Sequence, residues 1–466
     1  MKKPILLVWF AVLVAMLMAV GAHLVIRQGF LDNMDERNYL WLADRILEGR
    51  VTTEPPPADI YAHFVVSWRG VISERLYTHF AATWPLLLAI GRAGRVPWIV
   101  NPILAGIAVF LIYALTNALY GNRTTAMAAT LLFAASPFLI FQAGTMLSHV
   151  STAVWLLAGL LALLKTTKSK HSSFALLAGI SFGLGFSTRP LDILATVLPA
   201  VIAFIIHGRH EPIYLTRRLL LLTLGGCMGL IPFWVYNAAV TGDAWFTPLQ
   251  LYSVREPLFA TSFADWWTKT LPLTLVQLSN WKDWFLPFWM IPAVYLLLAV
   301  REFDARDLLC FIIIASLIGA YSFFSSYYDL CGPRYHFCAL PLSCILIGRL
   351  ITAYTPRHPY FILLAVGLYY SSIYLDTGPL MYQIMTAKRS LQVRIERRNL
   401  QRAIIFIPEG WYTSMWNIDL LDNQPDFSGI IYADDIPETN HLLRQHFPDA
   451  PAYHWEPDGT LRKLDL

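Results

Sequence analysis

The sequence predicts a polytopic α-helical membrane protein of about eleven spans, with interfacial helices in the first outer loop and a small α/β extramembrane domain at the C-terminus. Three observations predict it. Of 466 residues, 56% are hydrophobic and 14% charged, where soluble domains carry about 25% charged residues. Apolar runs of spanning length, or near it, recur along the chain. After Asp376 the long runs stop and a polar stretch with short apolar segments begins.

Taken in order, the runs place spans at about 4–26, 97–119, 124–142, 147–164, 173–188, 191–207, 218–236, 284–300, 307–324, 335–353 and 360–375. Lys2-Lys3 before the first run resembles a signal-peptide n-region. The run is too long for one, at about 23 residues, and lacks an A-x-A site, so it reads as an uncleaved anchor. The fifth and sixth spans are short and separated only by Thr188-Arg189-Pro190.

Orientation follows from the short loops. One set holds Lys2, Lys3, Arg123, Lys165, Lys168, Lys170, Arg209, Arg217, Arg218, Arg301, Arg306, Arg349 and Arg357. The short loops of the other set hold only Arg189 and Arg334. Cationic loops stay in the cytoplasm, so the N-terminus is expected inside, the C-terminus outside, and the chain in the cell (inner or plasma) membrane. Three outward segments are long. Residues 27–96 contain Asp32 to Tyr39, the rigid turn Pro55-Pro56-Pro57 and a half-apolar stretch from Leu76 to Ile90; residues 237–283 carry Trp245, Trp266, Trp267 and Trp281, suited to an interface; residues 376–466 read as a small α/β domain. Residues 1–375 therefore form the transmembrane domain and 376–466 an accessory extracytoplasmic one. The tail's basic stretch runs from Lys388 to Arg402, its strand-like runs are 403–407 and 429–432, and a helical pattern covers 439–447.

Asp32-Asn33-Met34-Asp35-Glu36-Arg37-Asn38-Tyr39 follows the first span and opens an amphipathic pattern, with Tyr39, Leu42, Ala43, Ile46 and Leu47 on one face. Asp32 or Asn33 can cap that helix, which puts Asp35 and Glu36 in its first turn, where carboxylates suit the positive end of the dipole. That preference alone accounts for two acids there. Ionisable groups at a membrane are nonetheless costly and mark functional sites. The outward set is Asp35, Glu36, His79, His149, Arg189, Asp192, Asp243, Lys269, Asp329, Arg334 and His336. Each has a plainer reading: Arg189 and Asp192 pair at i, i+3, His149 and His79 sit at the interface, and Arg334 snorkels from a turn.

Several chemistries are not supported. The five cysteines form no CxxC and no His/Cys cluster at metal spacing. Cys227, Cys310 and Cys344 fall in apolar runs, and no disulfide is expected between Cys331 and Cys338. There is no Gly-rich phosphate loop and no hydrolase elbow. The net charge of +4 is small, and neither nucleic acid, metal nor cofactor is expected. Carboxylates and cations on one side of a bilayer suit group transfer from a phosphate ester, with a carboxylate as general base and Arg or Lys on the leaving phosphate.

Asp35-Glu36-x-x-Tyr39 after the first span, Leu147-Ser148-His149-Val150 opening the fourth, Thr188-Arg189-Pro190, Asn237…Thr241-Gly242-Asp243, and Gly332-Pro333-Arg334-Tyr335 before Leu340-Pro341 follow one another in an order. That order resembles the membrane glycosyltransferases of the C superfamily, which include protein O-mannosyltransferases and the lipid A aminoarabinose transferases. The resemblance covers roughly residues 1–375. It implies an inverting transfer of a hexosyl or pentosyl group from a polyprenyl-phosphate carrier to an acceptor hydroxyl of a glycan, lipid or protein. It further implies Asp35 as base, with Glu36 orienting Asp35 or the acceptor. Arg334, Arg189 and Lys269 are the candidates for the donor phosphate; Tyr39, His79, His149, Asp243 and Tyr335 are those for substrate contacts. The chain departs from the pattern in its triple proline and in lacking a further acidic motif typical of metal-dependent oligosaccharyl transfer. Two other readings stand beside it: a lipid-linked saccharide transporter or flippase, which paired discontinuous spans would favour, and a polymerase or ligase moving whole glycans from a pyrophosphate carrier.

Overall fold

The computed structural model describes residues 3–31, 33–64, 69–72, 75–168, 172–253, 259–286, 304–324, 332–354, 359–408, 429–456 and 458–464. Helix α1 (Lys3–Gly21) continues through a π-turn at Ala22–Ile26; α2 (Met34–Leu47) and α3 (Thr83–Ala93) lie in the first long loop, the one expected outside, with a hairpin of β1 (Arg69–Ile72) and β2 (Arg75–Thr78). Then come α4 (Val100–Tyr120), α5 (Arg123–Ala134), α6 (Pro137–Ala143), α7 (His149–Lys168), α8 (Ser173–Phe186), α9 (Pro190–Gly208), α10 (Pro212–Gly229) and α11 (Ile231–Thr241). The second long loop folds as short helices α12 (Pro248–Ser253), α13 (Phe263–Asp265) and α14 (Leu271–Ser279). Helices α15 (Ala305–Ser322), α16 (Ala339–Tyr354), α17 (Pro359–Lys388) and α18 (Ser390–Arg397) lead into the tail.

Among the described residues, six helices are long and apolar enough to cross a membrane: Ile5–Ile26, Pro97–Tyr120, His149–Lys168, Pro190–Gly208, Ala305–Ser322 and Phe361–Ala387. Counting each of two bent pairs as one span gives up to eight. The chain is thus a multi-pass membrane protein. The expected span at 124–142 is the α5–α6 pair, bent by 54°, where Pro137 at the start of α6 cannot donate back into α5. The span at 218–236 is the α10–α11 pair, bent by 42° at a break followed by Pro232. The fifth and tenth segments are the shorter apolar helices α8 and α16; most of 284–300 lies outside the described residues. The last span runs further than its apolar pattern implied, carrying α17 through Asp376 to Lys388.

Helices α8 and α10 touch backbone to backbone. A Cβ on Gly179 would stand 2.0 Å from the Leu222 carbonyl oxygen, so no larger residue fits that crossing. The bundle has two chemically different ends. At one, Tyr120 donates to Asp307 (2.6 Å), Arg306 to the Leu119 carbonyl (2.7 Å) and Lys168 to the Ala118 carbonyl. These are the cationic loops assigned to the cytoplasm. At the other end lie α2, α3 and the starts of α7 and α9.

The tail folds as expected for a small α/β unit. Strands β3 (Ala403–Ile407), β4 (Ile430–Asp434), β5 (Ala452–Trp455) and β6 (Leu461–Lys463) form a sheet of order β4-β3-β5-β6, parallel except for β5–β6, with α19 (Asn440–His446) between β4 and β5. All five β3 side chains are buried, as for a strand covered on both faces. Ala403, Ile405 and Ile407 pack with Phe30, Ile384, Met385, Leu391 and Ile395. Ile404 and Phe406 pack on the opposite face with Ile60, Phe64 and Leu443. The first long loop therefore supplies part of the tail's core, and His63 pins it, its ring nitrogens bonding the Asp434 carbonyl and the Thr439 hydroxyl, each at 2.9 Å. Sequence alone made the tail a separate unit because contacts so distant in the chain leave no local pattern.

Candidate active site

The site begins at the α2 N-terminus. Asn33 caps it by accepting from the Asp35 amide at 2.8 Å, and Glu36 completes a capping box. Asp35 is left partly open, with a side-chain exposure of 16%, and its Oδ2 accepts from Arg334 Nη1 at 2.9 Å. Arg334 is placed by the turn before α16. Gly332 there has φ +72°, and a Cβ on it would meet the Trp284 ring at 2.6 Å, so backbone conformation and packing both require glycine.

Arg189, the cap residue of α9, sits beside this pair. Its Nε donates to Asp192 Oδ2 (2.8 Å) and its Nη2 to the Tyr321 hydroxyl (2.9 Å), while Tyr321 donates to the same Asp192 oxygen. Both guanidiniums lie over the Tyr335 ring, Arg334 at 5.2 Å and Arg189 at 5.5 Å from its centroid. His149 stands edge-on to the same ring at 6.3 Å and is 1% exposed. Tyr39 bonds Ser148 at 3.2 Å and rests on Phe80, whose ring lies tilted against His79. Burial raises the Tyr39 pKa, reinforced by Asp35 and opposed by Arg189 and Arg334.

The segment joining α6 to α7 forms the site's floor. His23 donates to the Gly144 carbonyl (3.0 Å), Asn101 to those of Thr145 (2.7 Å) and Leu147 (2.8 Å), and Trp84 to that of Met146 (2.7 Å). The Met146 amide donates to Glu36 Oε1 at 2.7 Å. A buried irregular segment survives only when its backbone groups are paired in this way.

The structure thus gathers Asp35, Arg334, Arg189, Tyr39, His149 and Tyr335, with His79 one ring further out. It does not gather Lys269, which pairs with Asp265 at 2.8 Å and has a 72% exposed side chain, nor Asp243, which is exposed and accepts from the Trp245 amide of its own turn. Glu36 is in the cluster by sequence but fully buried, with Arg27 on its other oxygen at 2.6 Å. Asp329 lies outside the described residues. Sequence reasoning missed Tyr321, Phe80 and Arg27. Tyr321 and Phe80 read as ordinary aromatics, and Arg27 as one more cation at the end of a span. Among the described residues, no three His, Cys, Asp or Glu side chains are placed to hold a metal ion.

Residues 80–236 match the family described as dolichyl-phosphate-mannose-protein mannosyltransferase, a stretch that includes His149 and Arg189 but neither Asp35 nor Arg334. No curated protein matches the chain in sequence. Solved structures do match in fold. ArnT from Cupriavidus metallidurans bound to undecaprenyl phosphate aligns over 97% of this chain and 93% of its own, with 12% identity and a TM-score of 0.59; in the apo state the figures are 95%, 93%, 14% and 0.56. The apo oligosaccharyltransferase of Archaeoglobus fulgidus aligns over 98% of this chain and 74% of its own, at 13% identity and a TM-score of 0.50. The chain therefore has the fold of the membrane glycosyltransferases of the C superfamily, as its order of motifs implied, with a mannosyltransferase-family match over residues 80–236.

Proposed function

We propose that this protein transfers a hexosyl or pentosyl group, with inversion, from a polyprenyl-phosphate carrier to an acceptor hydroxyl at the outer face of the membrane. The acceptor oxygen attacks the anomeric carbon as the bond from that carbon to the phosphate oxygen breaks. The hydroxyl proton passes to Asp35, and the bonding electrons leave with the phosphate as polyprenyl monophosphate. Arg334 and Arg189 hold that phosphate in the ground state and stabilise the charge it gains. Tyr39, His149 and Tyr335 line the reacting groups. Residues 1–375 form the catalytic domain and 376–466 the accessory one, with the N-terminus in the cytoplasm and the C-terminus outside.

The observation that carries this reading is the 2.9 Å contact between Asp35 and Arg334 with Arg189 alongside. A candidate base and two phosphate-binding forks meet at the end of the bundle away from the Lys168, Arg306 and Arg349 loops. The undecaprenyl phosphate bound in the ArnT structure and the lipid-phosphate sugar in the matched family's description favour the same class of donor.

The test is release of polyprenyl monophosphate by purified protein given polyprenyl-phosphate hexoses and pentoses. Release that depends on Asp35 supports the reading. Movement of intact donor across vesicles without release would make the protein a transporter instead.

A further inference from the structure

Glu36 is fully buried and both its oxygens are committed, Oε2 to Arg27 at 2.6 Å and Oε1 to the Met146 amide at 2.7 Å. Arg27 is 1% exposed, follows the π-turn that ends the first membrane helix, and also reaches the Phe30 carbonyl at 3.4 Å. One carboxylate thus ties together the end of α1, the start of α2 and the floor segment that leads into Ser148 and His149.

We propose that Arg27 is a positioning residue for the transfer and Glu36 its partner, so that the pair fixes the base Asp35 against the floor while Glu36 touches neither substrate. The inference rests on the reading of Asp35 as the base.

The physical argument starts from where Asp35 sits. It lies in the first turn of α2, where backbone amides lack helical partners and the chain frays most readily. The Asn33 cap satisfies one amide. Arg334 holds the carboxylate tip, and the neighbouring residue anchors the backbone: adjacent Cα atoms are about 3.8 Å apart, so a Glu36 side chain that cannot move leaves the Asp35 Cα little freedom. The Met146 amide extends the anchor to the floor segment, because Ser148, two residues on, bonds Tyr39. A buried carboxylate stays in place only while its charge is compensated. Without the Arg27 guanidinium, the Glu36 carboxylate is driven toward water, and that movement shifts Asp35. Misplacing a reacting group by about 1 Å can lower a rate about 10²-fold. The same burial rules out Glu36 as a competing base, since neither oxygen faces the opening where Asp35 meets Arg334.

Arg27→Lys, Arg27→Met and the charge-free double variant Arg27→Met/Glu36→Gln would be compared with wild type and Glu36→Gln. All are full-length in detergent, assayed for polyprenyl monophosphate release and for amide hydrogen exchange over 33–39 and 144–148. Arg27→Met should lower kcat about 10²-fold with donor and acceptor KM unchanged, and speed exchange in both segments. Arg27→Lys should recover part of kcat and slow the exchange again. If Arg27→Met does not fold, the double variant decides, because it leaves no unpaired buried charge; it should fold, with lowered kcat and unchanged KM. Wild-type kcat in folded Arg27→Met, or in the double variant, overturns the proposal. So does a Glu36→Gln protein whose acceptor KM rises at unchanged kcat, which would make Glu36 a substrate contact. Should wild type release no polyprenyl monophosphate from any donor, the functional reading falls by itself. The exchange data then judge the clamp alone, and equal exchange in wild type and Arg27→Met overturns it.

Discussion

Arg334 donates a 2.9 Å hydrogen bond to Asp35 across 299 positions of sequence, so the proposed base and the proposed phosphate clamp satisfy each other before any substrate is present. A phosphate entering between Arg334 and Arg189 competes with the Asp35 carboxylate for the same guanidinium.

Asp35→Asn should therefore separate chemistry from binding. Transfer should fall about 10²–10⁴-fold, the usual range for losing a general base. Donor affinity should rise, because a neutral amide competes less well for Arg334. Single-turnover transfer and equilibrium donor binding, measured on one preparation, check both. Transfer at the wild-type rate would reduce Asp35 to a helix-start acid.

Arg334→Lys keeps the charge but loses the planar fork that can grip two phosphate oxygens at once. Donor binding and rate should both weaken. If both match wild type, the phosphate is held elsewhere, and Arg189→Lys becomes the decisive variant.

Lys269→Ala and Asp243→Ala should leave transfer within a factor of about two, as expected for exposed groups that serve only their own turns. Initial rates at saturating donor give the answer. A large loss in either variant would mean that the second long loop closes over the substrate.

The sequence carried much of the fold because spans, loops and caps are local: α4, α7, α9 and α15 follow their apolar runs, and the spacing puts the α2 cap at Asp32 or Asn33, of which Asn33 takes it. Membership of the candidate cluster was legible where a polar residue stands out against an apolar background, as Arg189, His149 and Arg334 do. It failed in two directions. Lys269 carries the right charge on the expected side, but a neighbouring acid claims it at i, i+4. Tyr321 bonds both Arg189 and Asp192, yet a tyrosine at the end of an apolar run gives no signal. The bend between α5 and α6 could be read from Ser136-Pro137. The join between residues 60–64 and the tail could not, because nothing near either segment encodes the other.

Phe64 is 4% exposed against the β3–β4 face of the tail. Phe64→Ala should destabilise the docked tail by about 3 kcal/mol, the low end for removing a buried aromatic. Limited proteolysis should then cut residues 403–464 sooner than in wild type. Unchanged cleavage would show that the tail holds its fold without the first outer loop.

A reporter active only outside the cytoplasm, fused after Leu466, should be active, since the floor, the proposed base and the tail all lie at the end away from Lys168 and Arg306. Activity of a cytoplasm-only reporter there would invert the topology, and the proposed outer-face chemistry with it.

The packing of Ile60 and Phe64 into the tail's core also sets a timetable for synthesis. Residue 60 leaves the ribosome long before Ala452, the β5 residue that completes the opposite wall of that core. At about 5–20 residues per second, Ile60 and Phe64 wait on the order of 20–80 s for their cover. Through that interval the growing chain displays a sticky, half-made surface beside the membrane, so a nascent polypeptide stalled before β3 should be the species that aggregates or recruits a chaperone.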